Sequence, residues 1–177
     1  MNFFLKLNSI LLLSLFPVYS VALSFDDEQL ISVIKKCSPI AEYHEVLYGI
    51  VKKESGGSAY AININGAYLN RQPTNKNEAT SLISVIEESE YTFDIGVAQI
   101  NSQHFKPNRV FGRLGYRPVD ALDYCLNLKM ATSIFDDAYK RTRDIKKALS
   151  IYNTGSPVRG LQNGYVESVL ALMVRVN

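Results

Sequence analysis

Tryptophan is absent from this chain, cysteine and histidine occur twice each, and methionine three times. Each scarcity excludes something. Without tryptophan, any broad aromatic surface has to come from the eleven tyrosines and eight phenylalanines. His104, one of the two histidines, has no spaced carboxylate or Cys/His partner, so the pattern contains no metal motif. An excess of charge is missing too: 19 basic residues face 17 acidic ones. No basic stripe stands out, which argues against nucleic acid as a partner. Internal repeats and low-complexity tracts are absent. What remains is 177 residues, 47% hydrophobic and 20% charged, the composition of one globular domain long enough for a proper core.

Also lacking is an apolar run long enough to span a bilayer, which needs about 20 residues. The strongest run, residues 10–16 in MNFFLKLNSILLLSLFPVYSVALS, follows Lys6 and is stopped by Pro17, with small residues at Ser20, Ala22 and Ser24. That is the shape of a secretory signal peptide cleaved after Ala22 or Ser24; a membrane anchor is the alternative, which the interrupted run disfavours. The expected division is residues 1–24 as signal and 25–177 as a single domain, with no stable membrane span after cleavage. Losing Lys6 leaves 18 basic and 17 acidic residues, a net charge of +1. Export changes how the cysteines read, because disulfides persist outside the cytosol. Cys37 and Cys125 allow one pairing only; a pair of buried free thiols is the other reading.

The most informative stretch is residues 43–57, YHEVLYGIVKKESGG. At about 100° per residue, Tyr43, Val46, Leu47, Ile50 and Val51 form one apolar stripe, and Glu54 falls near its centre. Lys52, Lys53 and Glu45 occupy the other side. Ser55, Gly56 and Gly57 then stop the helix, since glycine accepts the left-handed conformation of a helix C-terminus. A carboxylate therefore sits where a core residue belongs, beside an open loop. Burial raises a carboxyl pKa, and a raised pKa suits a general acid working near neutrality. The competing reading is a frayed helix end with Glu54 in solvent.

Around this stretch the chain reads as short helices and one small β element. Ser24 is a candidate cap for a helix through Lys36 with Asp26, Asp27 and Glu28 in its first turn, broken by Ser38-Pro39. After the glycines, Asn65-Gly66 lies between two runs rich in Ala, Ile and Tyr and predicts a β-hairpin. Asn77 can cap a helix over residues 78–89 with Leu82, Ile83, Val85 and Ile86 apolar. In YTFDIGVAQINSQHF, residues 91–105, Asp94, Gln99, Asn101 and His104 alternate with apolar residues, as in a segment lining a cleft; turn and cap chemistry is the alternative. Periodicity predicts helices over about 123–140, with Leu128, Ala131, Ile134, Phe135 and Ala138 inward, and over 144–152, with Ile145, Ala148, Leu149 and Tyr152 inward. Asn163 caps a last helix reaching about Arg175, with Tyr165, Val169 and Leu172 on one side.

Taken in order, VKKESGG with Glu54, DIGVAQIN from Asp94, and LSIYNTG followed by NGYVESV resemble the soluble lytic transglycosylase superfamily, and within it the small exported enzymes of type IV secretion and conjugation machineries. Cys37 and the CLNL at Cys125 extend the match over nearly the whole mature chain. The resemblance implies an α+β, mostly α, lysozyme-like fold of goose type with a small β-hairpin. It implies a periplasmic enzyme that cleaves the β-1,4 bond between N-acetylmuramic acid and N-acetylglucosamine, with peptidoglycan strands and a type IV secretion or conjugation apparatus as partners and no cofactor. Glu54 would be the single acid/base and Tyr152 its catalytic neighbour, with Ser55, Gln99, Asn101, Asn153 and Tyr165 at the sugar. The polar insertion around residues 68–89 departs from the pattern and leaves that wall of the cleft open.

The chemistry is consistent with one carboxylate. Most glycosidases use two, substrate-assisted enzymes being an exception; in the family's reaction the substrate's N-acetyl group replaces the second and the product is a 1,6-anhydro sugar. Asp94 is the runner-up acid. Were it to face Glu54 across the cleft, a hydrolytic, lysozyme-like outcome would follow, and a non-catalytic wall-binding protein is the remaining alternative.

Overall fold

The computed structural model describes residues 24–173. Helix α1 (Asp27–Cys37) begins with a reciprocal cap: Asp26 Oδ1 accepts the Gln29 N–H at 2.8 Å, and Gln29 Oε1 accepts the Asp26 N–H at 3.3 Å. This capping box displaces the expected start at Ser24, which instead forms an isolated antiparallel bridge with Ser58. The leader reading otherwise falls outside the described residues. Leu30, Ile34 and Cys37, spaced to share one helix face, are buried.

Helix α2 (His44–Glu54) is the centre of the molecule. Six consecutive residues, Val46 to Val51, are buried, which a helix achieves only when neighbours cover it on several sides. Those neighbours are α1, α5 (Tyr124–Thr142) and α8 (Tyr165–Leu172). At Gly49 a Cβ would lie 2.7 Å from the Val169 carbonyl oxygen, so glycine is what lets α8 approach this closely. Fully burying a residue such as Leu47 or Ile50 contributes roughly 1.5–3 kcal/mol.

The sheet corrects the expected hairpin. Strand β1 (Ile62–Ile64) pairs antiparallel not with the run after Asn65-Gly66 but with the distant β2 (Phe93–Ile95), Ile62 opposite Ile95 and Ile64 opposite Phe93; β2 then turns onto β3 (Ile100–Asn101). Phe93 and Ile95 are buried, whereas Tyr68 in the local run is fully exposed, so tertiary burial overrides the local turn signal. Asn65-Gly66 still turns the chain: Gly66 has φ 92°, and the Asn65 N–H donates to the Thr92 carbonyl at 2.8 Å. The free edge of β1 is closed by a side chain. Gln72 Oε1 accepts the Ile62 N–H and its Nε2 donates to the Ile62 carbonyl, both at 2.9 Å, an amide standing in for a neighbouring strand.

Helix α3 (Lys76–Glu87) starts two residues before the expected position, because Asn75 rather than Asn77 receives the Glu78 N–H. Its Ala79, Ile83 and Ile86 are buried, while Val85 is exposed. Helix α4 (Val110–Arg113) is a single turn. Helix α5, capped by Asp123, and α6 (Ile145–Thr154), capped by Asp144, form an antiparallel pair turning at Arg143, which adopts φ 53°. Ile145, expected inward, is exposed in the first turn of α6. After the short α7 (Arg159–Gln162), the N-cap position of α8 falls to Gly164, at φ 77°, and not to the expected Asn163, whose Oδ1 accepts the Tyr165 N–H at 3.0 Å from one residue further out. The expected extension of α8 beyond residue 173 lies outside the described residues. No helix among the described residues is long and apolar enough to cross a membrane.

A disulfide joins Cys37, at the end of α1, to Cys125, at the start of α5, across a separation of 88 residues. In the chain-entropy account a bridge of this span stabilises by about 4–5 kcal/mol. Thiol labelling of denatured, unreduced protein is therefore expected to find no reactive cysteine, and reduction should lower the thermal midpoint. Two labelled thiols would contradict the bridge.

Candidate active site

Glu54 is the last residue of α2, and the chain turns sharply after it. Gly56 and Gly57 adopt φ 63° and 94°, and a Cβ on Gly57 would meet the Phe25 carbonyl oxygen at 2.8 Å. The Ser55 hydroxyl donates to the Val97 carbonyl at 2.7 Å and receives the Gly57 N–H at 3.1 Å. Ser55, expected at the sugar, thus spends its hydroxyl tying the end of α2 to the segment after β2.

The Glu54 carboxyl is largely buried, and Tyr165 Oη donates to its Oε1 at 2.6 Å. Burial is the largest influence on this group. It pushes the pKa up to about 7; the Tyr165 hydrogen bond opposes that, the negative charge of Asp94 adds to it, and Lys53 pulls weakly downward. The Tyr165 hydroxyl is itself driven far above its ordinary range by burial and by Glu54, so it remains a donor throughout the accessible pH range.

Glu54 lies in the floor of an open cleft of about 910 Å³ between the β2–β3 segment on one side and α5 and α6 on the other. Gln99, Asn101, Tyr152 and Asn153 line the same cleft, so four of the sequence-derived site residues converge on Glu54. Gln99 is held at φ 51°, its Nε2 donating to the carbonyls of Ala61 and Gly96. Asn153 Oδ1 accepts from Asn163 Nδ2 at 3.0 Å. Tyr152 does not bond Glu54: its hydroxyl donates to the Ala98 carbonyl at 2.7 Å. The direct partner of the acid is Tyr165, expected at the sugar.

Asp94 also lines the cleft. Both of its oxygens receive amide donors, Oδ1 from Asn101 Nδ2 at 2.7 Å and Oδ2 from Asn65 Nδ2 at 3.2 Å. The arrangement knits three β segments together across β2. His104 sits nearby, its pKa lowered by burial first and by Arg109 second, against the opposing charge of Asp94.

The residue that sequence reading missed is Asn127. It is fully buried and makes three hydrogen bonds, donating to the Ile95 and Ala121 carbonyls at 2.8 and 2.9 Å and accepting the Ala98 N–H at 2.9 Å. A Cβ at position 96 would meet its amide nitrogen at 2.4 Å, so Gly96 is required for this contact. Asn127 thereby sets the path of residues 95–98 beside Glu54. Its spacing to Ala131, Ile134 and Ala138 puts a polar residue on an apolar helix stripe, the same signal that singled out Glu54.

A mostly helical domain with a small antiparallel sheet and one carboxyl raised toward neutrality in the floor of an open polar cleft has the layout of a lysozyme-like fold. Residues 36–167 match the transglycosylase SLT domain, and the chain belongs to that family. It is similar to the type IV secretion system protein virB1 of Brucella abortus, 29% identical over 151 residues that cover 77% of this chain and 60% of the relative. It is likewise similar to protein virB1 of Rhizobium radiobacter, 31% identical over 91% of this chain and 67% of the relative, and to protein virB1 of Agrobacterium fabrum, 32% identical over 76% and 55%. The chain thus spans about three fifths of the length of the Brucella relative. No solved structure is a significant match.

Because the Tyr165 bond holds the Glu54 pKa down, Tyr165→Phe should raise it further. Tyr152→Phe, whose lost bond is to Ala98, should move it much less. Carboxyl titration followed by NMR in the two variants distinguishes them, and equal shifts would mean that Tyr165 has no special hold on the acid.

Proposed function

We propose that this protein is a lytic transglycosylase that cleaves the β-1,4 bond between N-acetylmuramic acid and N-acetylglucosamine in peptidoglycan. The observation that carries the reading is Glu54, a carboxyl whose pKa of about 7 lets it give and take a proton under the same conditions. Protonated Glu54 donates to the glycosidic oxygen as the C1–O bond breaks, while the substrate's N-acetyl oxygen bonds to C1. The resulting carboxylate then removes the proton from the muramic O6 hydroxyl. O6 displaces the N-acetyl oxygen from C1 and closes the 1,6-anhydro ring. Glu54 ends protonated, and no water is consumed. Tyr165 occupies Oε1, which leaves the other carboxyl oxygen to exchange the proton with the substrate.

The amide side chains of Gln99, Asn101 and Asn153 suit N-acetyl and hydroxyl groups of the sugars. The Tyr152 ring supplies an aromatic surface at the cleft wall, while its hydroxyl acts as a positioning group through Ala98. With both oxygens engaged by Asn65 and Asn101, Asp94 serves as a structural carboxylate, which favours the single-acid course over hydrolysis. Residues 1–24 act as a signal peptide, and the mature protein works in the periplasm. The kinship with virB1 proteins of type IV secretion supports a role in opening the cell wall locally for such an apparatus.

Digestion of purified peptidoglycan should release 1,6-anhydromuropeptides, and Glu54→Gln should lower that release by at least about 10²-fold. Mass spectrometry separates the outcomes: hydrated reducing ends would favour hydrolysis with Asp94 assisting, and no product would leave a binding protein.

The raised pKa also fixes a pH dependence. Activity should fall as pH rises through about 7 and the acid ionises. The fold prefers protonated Glu54, so that group's contribution to stability is complete below the ordinary carboxyl value of 4.5 and is lost as pH rises through about 7. Glu54→Gln should therefore exceed wild type in thermal stability above pH 7, by at most about 3 kcal/mol because one side of the carboxyl faces the open cleft. The advantage should vanish below about pH 4.5 in melts recorded across the range.

A further inference from the structure

Three consecutive backbone carbonyls beside the acid each receive a side chain of the site. The Gly96 carbonyl accepts from Gln99 Nε2 at 2.9 Å, the Val97 carbonyl from the Ser55 hydroxyl at 2.7 Å, and the Ala98 carbonyl from the Tyr152 hydroxyl at 2.7 Å. Ser55 directly follows Glu54, so the Val97 carbonyl sets where the end of α2 comes to rest. The Ala98 carbonyl likewise fixes the ring of Tyr152, which lines the cleft with Glu54.

The turn that carries this row is closed by the Gln99 N–H on the Gly96 carbonyl at 3.1 Å. Gly96 and Gln99 lie at φ 76° and 51°, and left-handed backbone at a residue other than glycine persists only where surrounding contacts over-determine it. Asn127 supplies such contacts from within the core. Its Nδ2 holds the Ile95 carbonyl just before the turn, and its Oδ1 takes the Ala98 N–H inside it, at 2.8 and 2.9 Å. Ala98 is therefore gripped twice, by Asn127 at its N–H and by Tyr152 at its carbonyl. The base of this support is firm: the Asn127 N–H donates to the Asp123 carbonyl at 2.8 Å, two residues after the bridged Cys125. Asn127 is fully buried and does not line the cleft, so it reaches the chemistry only through the turn.

We propose that Asn127 is a positioning residue for cleavage of the glycan: by fixing the row of carbonyls from α5, it holds the Glu54 end of α2 and the Tyr152 ring in the geometry that the reaction needs. This deepens the reading of Glu54 as the acid and rests on it. A shift of about 1 Å at either group is enough to cost as much as about 10²-fold in turnover.

The test measures kcat on soluble glycan strands for Asn127→Ala and Thr132→Val, at a temperature well below both thermal midpoints. Thr132 is the control. It too is buried on α5 and hydrogen-bonded, to the Leu128 carbonyl and the Ser38 hydroxyl, but neither partner lines the cleft. Asn127→Ala should lose at least about tenfold in kcat, while Thr132→Val should keep the wild-type value although it also gives up buried hydrogen bonds. Wild-type kcat in Asn127→Ala, or an equal loss in Thr132→Val, overturns the assignment and leaves the cleavage reading standing. Should loss of the amide prevent folding, Asn127→Asp keeps its shape and gives a second readout. Burial raises the pKa of the introduced carboxyl. Protonated, it can donate to one carbonyl and accept the Ala98 N–H; ionised, it turns negative charge on the Ile95 and Ala121 carbonyl oxygens. The kcat of Asn127→Asp, taken as a ratio to wild type to remove the dependence that Glu54 itself imposes, should therefore fall as pH rises, and a ratio that does not change with pH overturns the assignment. Absence of product from the wild-type protein would remove the cleavage reading and this role with it.

Discussion

The hydrogen bond from Tyr165 to Glu54 is the constraint to which most of the fold answers. A carboxyl at the inner end of a buried helix is costly unless something polar meets it, and its partner comes from the opposite end of the chain. To bring Tyr165 within 2.6 Å, α8 must lie directly against α2, which Gly49 allows by leaving room for the Val169 carbonyl. The bond restrains the rise in pKa that burial causes and fixes which carboxyl oxygen is free. Helix α8 thus reaches the Glu54 carboxyl as well as the core.

A second set of contacts builds the cleft from segments with little regular structure of their own. Strands β2 and β3 are too short to hold themselves. They are braced from below by Asn127, from the side by the Asp94 amide contacts, and at the outer edge of β1 by Gln72. These are side chains doing what backbone ladders do in larger sheets. A buried amide that satisfies all its neighbours rigidifies a turn without lengthening it, so the residues facing Glu54 can remain irregular in backbone and still be placed reproducibly. The disulfide acts at another level, joining α1 to α5 and narrowing the ensemble of the unfolded chain rather than shaping the cleft.

Much of this was legible beforehand because it depends on local rules. Helical periodicity located α2, α5, α6 and α8, and the misfit of one carboxylate on an apolar stripe located Glu54. The Ser55-Gly56-Gly57 stop is chemistry within a few residues of one chain segment. Where two local signals competed, the boundary moved slightly: the reciprocal cap at Asp26 outbid Ser24, and Asn75 outbid Asn77.

The β element and the roles within the site could not be settled that way. Asn65-Gly66 is a turn in either arrangement, but which strand pairs with β1 depends on whose side chains reach the core, and Phe93 and Ile95 do so where Tyr68 does not. Ser55 and Tyr152 both carry hydroxyls near the acid in sequence motifs, yet which hydroxyl meets the carboxyl is decided by helix packing that sums over the whole chain. The amino-acid sequence by itself determined that a carboxylate would be forced to the inner end of a helix. Only the tertiary structure decided that Tyr165 would answer it and that Asn127 would brace the turn beside it, because each of these contacts joins residues whose separation no local periodicity encodes.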